Sequence, residues 1–190
     1  MAGKGFKNIY NVAGGIKAWK AGTAVGPPDL GMDLFDGKQT PEEILKTAYS
    51  LEEGLKDFYL SMSKEAPRAE VTSLFLKLAE IEVKHQESIL GAYQELGHPE
   101  VTLAAFSAMV KEKAMEGGMT TQEYLDMFNP DLSSAVDVIS LAMSIEAQAL
   151  DLYHRVGADL EDDAARRIVL KIGDEEKGHL ERLGKLMDSL

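Results

Sequence analysis

The sequence predicts an all-α fold, a four-helix bundle with one long crossover between the second and third helices. Apolar residues recur at spacings of three and four along four long segments. Signals for helix starts and ends flank these segments, and the last two segments repeat the first two at a fixed offset. With 190 residues, 45% of them hydrophobic, the chain is long enough for one well-packed domain and an appendage.

The first two helices are predicted to form an antiparallel hairpin. Thr40 and Glu43 have the spacing of a capping box, so the first helix begins after Thr40 and runs to about Lys64. The second helix begins around Pro67 and stops at Gly97. The short connection between them favours an antiparallel pair.

The connection from His98 to Leu132 is too long for a simple turn. It contains short helical pieces around Leu103–Met115 and Thr121–Met127, separated by glycines. We expect this segment to cross the length of the bundle.

The second hairpin follows this crossover. Ser133 or Ser134 can cap a third helix that runs to about Val156. A fourth helix is predicted between Leu160 and Leu190, with acidic residues at its start and Lys185 near its end.

The amino-terminal part has a different character. Residues 7–12 predict a short strand and residues 14–22 a short helix, whereas residues 27–39 have the proline and glycine content of a linker. The predicted organisation is an amino-terminal remnant over residues 1–26, a linker over residues 27–39 and the bundle over residues 40–190.

Composition excludes several classes of function. A net charge of −12 and a pI near 4.8 argue against nucleic acid or an anionic membrane as the partner. No apolar run approaches the roughly 20 residues of a membrane helix, and no secretory leader is visible, so we expect a cytoplasmic protein. Because the chain has no cysteine, any metal must be bound by oxygen and imidazole nitrogen.

Six candidate ligands share one register. The two hairpins align at an offset of 94 residues, which pairs Glu52 with Glu146, Glu82 with Glu176 and His85 with His179. Other pairs at this offset, including Leu76 with Leu170 and Lys77 with Lys171, show that the register does not depend on the ligands alone. In each half, Glu-x-x-His places a carboxylate and an imidazole on one helical face.

Four carboxylates on or beside apolar stripes require compensation. An isolated ionised carboxylate in an apolar core is very unfavourable, whereas two divalent cations would balance four acids. Oxygen-rich ligands with one imidazole per metal favour iron, with manganese as the reserve, over a structural zinc site. The alternative is that the repeated residues survive from a duplication and bind no metal.

The segments 48–59, 75–86, 141–153 and 171–183 resemble the four helices of the rubrerythrins, ferritin-like di-iron carboxylate proteins. The resemblance covers about residues 40–190. It implies that Glu52 and Glu146 are terminal or bridging ligands, Glu82 and Glu176 bridging ligands, and His85 and His179 end-on ligands. Residues 2–22 resemble the carboxyl-terminal tail of a rhodanese domain, without the cysteine that carries sulfur.

Two departures from the family weaken a peroxidase assignment. Many rubrerythrins have a further glutamate one turn after the third-helix ligand, where this chain has Ala149. The cysteine-rich rubredoxin module is also missing. Tyr59 and Tyr153 lie two turns after Glu52 and Glu146, where each phenol could either hydrogen-bond a ligand or bound oxygen species or simply pack in the core.

The resemblance implies an oxidoreductase that acts on hydrogen peroxide or dioxygen. It would receive electrons from an external donor such as a rubredoxin or a flavoprotein, and we expect a homodimer. Two alternatives remain open: an iron-handling ferroxidase or storage-type protein, and a metal-binding module that works with rhodanese sulfur chemistry.

Overall fold

The computed structural model describes residues 31–35, 37–110, 123, 125–126 and 129–188, and this part of the chain is all-helical. The five helices with described bounds are α1 (Pro41–Glu65), α2 (Ala69–Glu95), α3 (Leu103–Met109), α4 (Ala135–Asp159) and α5 (Asp163–Met187). A short 3₁₀ turn, Met32–Leu34, precedes α1. The predicted strand and helix of the amino-terminal remnant lie outside the described residues.

Local capping residues fix where the long helices begin. The Glu43 backbone N–H donates to Oγ1 of Thr40 at 3.3 Å, and the Thr40 N–H donates to Oε2 of Glu43 at 2.9 Å. Ser134 caps α4 and Asp162 caps α5, each through a side-chain oxygen that accepts from a backbone N–H. These caps satisfy N–H groups that have no partner inside the helix. The capping-box prediction at Thr40 is confirmed.

The four long helices form two hairpins that pack face to face. Helix α1 lies against α2 and α4 lies against α5, while α1 contacts α5 and α2 contacts α4 across the bundle. The long connection between α2 and α4 carries α3, whose Phe106 is fully buried against Tyr49 and Tyr93. This arrangement agrees with the predicted bundle and its single long crossover.

The structure differs from the sequence-based prediction in two places. Helix α3 ends at Met109 rather than Met115, because Val110 has an extended backbone. The segment predicted as a linker packs against the bundle at Phe35, which is 7% exposed and meets the ring of Tyr153 edge-on at 6.5 Å.

The core consists of two apolar clusters stacked along the bundle axis. One surrounds Tyr49, Tyr153 and Phe106, and the other surrounds Phe58, Tyr59 and Phe75. Each long helix passes from one cluster to the other near its middle; on α1, for example, Leu51 belongs to the first and Leu55 to the second. The predicted ligands lie at these crossing points, so the site is sealed above and below by apolar side chains.

Among the described residues, no helix has the length and apolar character needed to cross a lipid bilayer.

Candidate metal centre

All six predicted ligands meet in the middle of the bundle. Each of the four long helices contributes one glutamate, and α2 and α5 also contribute one histidine each. Every one of these side chains is buried, with exposures of 0–6%. The six residues are Glu52, Glu82, His85, Glu146, Glu176 and His179.

The first half-site joins α1 and α2. Nδ1 of His85 lies 3.1 Å from Oε2 of Glu52 and 2.7 Å from Oε2 of Glu82. Glu82 and His85 are three residues apart on α2, so they share a face, and Glu52 approaches from the neighbouring helix. One potential ligand atom from each residue lies within 4.8 Å of the others, which suits a single metal ion.

The second half-site repeats this arrangement on α4 and α5. Nδ1 of His179 lies 2.9 Å from Oε2 of Glu176 and 3.4 Å from Oε2 of Glu146. In both halves the imidazole therefore turns Nδ1 toward the carboxylates. The duplicated sequence has produced two half-sites of matching chemistry.

The two half-sites form one continuous centre. The rings of His85 and His179 are stacked, with centroids 3.6 Å apart and an interplanar angle of 7°. Potential ligand atoms of His85, Glu176 and His179 also lie within 4.8 Å of one another. A metal ion in one half would consequently be a close neighbour of an ion in the other.

Burial and mutual repulsion disturb the ionisation of these groups. Burial, reinforced by the charges of Glu146 and Glu52, raises the pKa of Glu82 well above its usual value. Burial disfavours the charged form of His85, but the adjacent Glu52 and Glu82 carboxylates outweigh it and raise the pKa of His85 to about 11. Without cations, the centre therefore holds protons that bound metal would displace.

Glu146 shows the opposite shift. Burial acts to raise its pKa, but hydrogen bonds with His179 and Glu176 and the charges of both histidines together lower it. The two half-sites therefore differ electrostatically although their ligand sets match.

The donor atoms fit a pair of divalent ions. Oε1 of Glu82 is buried without a hydrogen-bond partner, while Oε2 of Glu82 has only the ion-pair contact of 2.7 Å with Nδ1 of His85. Buried carboxylate oxygens without donors are unfavourable unless a cation satisfies them. Four carboxylates and two imidazoles are hard and borderline ligands of the kind that bind iron and manganese.

The sequence model of the Rubrerythrin family matches residues 43–187. The chain belongs to the rubrerythrin family. No curated protein and no solved structure matches it significantly. Family membership makes the chain a di-iron protein of the ferritin-like kind, and the matched range contains all six residues of the centre.

One departure from the rubrerythrin pattern is visible in the packing. Ala149, where many rubrerythrins have a glutamate, is 1% exposed and belongs to the apolar cluster around Tyr153. That position thus offers no oxygen ligand, and the centre contains four carboxylates rather than five.

Both tyrosines near the centre are buried in the apolar clusters. Tyr59 is 1% exposed and packs 6.4 Å from the ring of Phe75, and Tyr153 is fully buried beside Phe35. These ring contacts favour the core-packing interpretation. A hydrogen bond from either phenol to the centre remains a prediction.

Sequence reasoning missed two polar residues beside the centre. Gln86 is 2% exposed and accepts a hydrogen bond from Nζ of Lys56 at 3.2 Å. Lys56 lies one turn after Glu52, and Gln86 directly follows His85. The spacing gives only a weak signal: Lys56 is four residues from Glu52 and Gln86 is four residues from Glu82, so each shares a helical face with a candidate ligand, but their mutual contact is not predictable from it.

Three glutamates lie within two residues of a candidate ligand in sequence but are exposed or contact other side chains. Glu80 is exposed, Glu53 accepts from Oγ of Ser107 on α3, and Glu175 accepts from Oγ of Ser88.

Proposed function

We propose that this rubrerythrin is an oxidoreductase that reduces hydrogen peroxide or dioxygen at a pair of iron ions bound by the six buried residues. The observation that supports the proposal is that each histidine lies within 3.4 Å of two buried glutamates, and that the two imidazole rings are stacked 3.6 Å apart. Manganese is the reserve metal, because the same ligand types accept it.

The protein residues would supply charge balance and enclosure. Four ionised carboxylates neutralise two divalent cations, and the two apolar clusters restrict the access of water to the centre. When bound, the iron pair supplies two electrons that convert hydrogen peroxide and two protons into two water molecules.

An external donor would restore the electrons. The chain has no cysteine, so a cysteine-ligated iron centre of its own cannot serve as the donor. A separate rubredoxin or flavoprotein has the required chemistry, and we include such a partner in the proposal.

Stopped-flow mixing of the ferrous protein with peroxide and with oxygen tests this proposal. We expect fast oxidation by peroxide, and repeated turnover when a rubredoxin and its reductase are added. Glu82→Gln should abolish the reaction, while Glu80→Gln, an exposed residue on the same helix, should leave it unchanged.

Two outcomes would contradict the proposal. Oxygen-driven accumulation of iron beyond the bound pair would identify an iron-handling protein instead. Inertness toward both oxidants would leave the metals with a structural role.

A further inference from the structure

The duplication creates two equivalent clefts between α2 and α5, one at each end of the centre. The 94-residue offset relates each residue of α2 and α5 that lines the smaller cleft to one that lines the larger cleft, while Lys185 of the larger cleft corresponds to Gly91, which does not line the smaller one. The first cleft is lined by Leu74, Lys77, Leu78, Ile81, Arg182, Leu183, Lys185 and Leu186. Its counterpart is lined by Ile168, Lys171, Ile172, Glu175, Ser88, Ile89 and Ala92, with Leu45 added from α1.

The two clefts differ in one interaction. In the second, Oγ of Ser88 donates to the carboxylate of Glu175 at 3.1–3.2 Å, and a cavity of only about 20 Å³ remains. In the first, Arg182 and Ile81 occupy these positions, and the cavity is about 310 Å³. The first, which we call the open cleft, therefore lacks the hydrogen-bonded pair that spans the second, which we call the closed cleft.

Three cations surround the open cleft. Lys77, Arg182 and Lys185 are exposed, and within the described part of the chain none of them forms an ion pair or hydrogen bond. The chain as a whole has 32 acidic and 20 basic side chains, so three cations at one cleft depart locally from its overall charge balance. Unpaired cations on such a surface favour an anionic ligand.

The floor of the open cleft is apolar. Leu78 and Leu183 are buried at its base, with exposures of 2% and 3%, and Leu74, Ile81 and Leu186 form its half-buried walls. A recessed apolar cavity of this size with a few polar groups at the mouth is typical of a small-molecule site. An inorganic anion could pair with the cations but would bury none of the apolar floor. A neutral hydrocarbon could cover the floor but would form no charge pair with the cations.

We propose that the open cleft binds free amphiphilic carboxylates, with the alkyl chain on Leu78 and Leu183 and the carboxylate among Lys77, Arg182 and Lys185. Burial of the chain supplies most of the affinity, and the charge pairs supply the selectivity for an acid. This site is separate from the six ligands and does not depend on the proposed oxidoreductase activity.

Calorimetric titration of the full chain with decanoate, with and without bound metal, tests the site. We expect one decanoate per chain in both states and much weaker binding of acetate and of decanol. Lys77→Gln and Arg182→Ser should each weaken binding roughly two- to fivefold, as expected for partly exposed charge pairs. Lys171→Gln, at the equivalent position of the closed cleft, is the matched control and should have no effect.

A second variant reproduces the closed cleft. Ile81→Glu combined with Arg182→Ser places the Ser88–Glu175 pair at the equivalent positions, so decanoate binding should disappear while the melting curve stays cooperative. Three results would overturn the proposal: decanol binding as tightly as decanoate, an equal loss of binding in Lys171→Gln, or binding to anionic phospholipid vesicles without binding to decanoate.

Discussion

His85 has the largest influence on the charge balance of the centre, because it contacts two of the four carboxylates. Its Nδ1 lies within 3.1 Å of carboxylate oxygens from two helices, and its ring stacks on that of His179. A protonated imidazole in this position offsets part of the negative charge that four buried acids would otherwise carry. Protons and metal ions therefore compete for the same side chains.

This competition predicts an unusual pH dependence for the metal-free protein. The pKa of His85 is raised from 6.5 to about 11, so its stabilising proton is fully present below pH 6.5 and is lost as the pH rises toward 11. The raised pKa of Glu82 acts with the same sign. We expect the melting temperature in chelator to fall between about pH 6.5 and about pH 9.5, and to fall less with metal bound.

Thermal melts followed by circular dichroism measure this effect. His85→Gln should flatten the slope, whereas His154→Gln, which replaces an exposed histidine on α4, should preserve it. A metal-free protein that becomes more stable as the pH rises would show that the centre does not hold these protons.

At the scale of the helices, the distance between neighbouring helices decides whether a glycine can be replaced by a larger residue. A Cβ placed on Gly157 of α4 would lie 2.8 Å from Cδ2 of Leu170 and 3.2 Å from Cγ1 of Val169, both on α5. Gly91 of α2 has no atom within 4 Å of such a Cβ. Helices α4 and α5 therefore approach each other closely at Gly157, where a side chain would collide with α5. Gly91 lies at no such close contact.

These two glycines give a matched pair of variants. Gly91→Ala should stabilise the protein by about 0.5–1 kcal/mol, because alanine is the better helix former. In Gly157→Ala the overpacking cost of about 1–3 kcal/mol should cancel or exceed that gain. Chemical denaturation measures both, and equal stabilisation by the two substitutions would contradict the close contact between α4 and α5.

Much of the helical architecture and the convergence of the six candidate ligands could be predicted, because their signals are local or repeated. Thr40 and Ser134 cap helices through local hydrogen bonds, so the helix starts can be predicted from the sequence near each cap. The offset of 94 residues fixes the register of both half-sites. The contact of Gln86 with Lys56 and the difference between the two clefts depend on how helices meet across the bundle. Such contacts leave only a weak trace in sequence.

At the scale of the whole molecule, the bundle extends beyond the boundary that sequence suggested. Glycine and proline content predicts a linker over residues 27–39, yet Phe35 is buried beside Tyr153 and the Gly37 carbonyl accepts a hydrogen bond from the Glu161 N–H at 3.3 Å. Burial of the Phe35 side chain contributes about 1.5–3 kcal/mol, which is enough to hold this segment against the bundle despite its glycine and proline content.

Phe35→Ala tests this extension of the core. We expect a loss of about 3 kcal/mol in the free energy of unfolding. The metal content should not change, because the aromatic partner of Phe35 is Tyr153, two helical turns beyond Glu146 on α4. Val136→Ala, which shortens an exposed apolar side chain on α4, should change stability by no more than about 0.5 kcal/mol. If Phe35→Ala were as mild as Val136→Ala, Phe35 would not be part of the core.

The most direct test of the account is the number of metal ions per chain, measured by elemental analysis after loading with ferrous iron or manganese and removal of unbound metal. The unaltered chain should bind about two ions, Glu82→Gln and His179→Ala no more than about one each, and Glu80→Gln about two. An unaltered chain that retains no metal, or a Glu82→Gln variant that still binds two ions, would contradict the assignment of these six buried side chains as a two-metal centre.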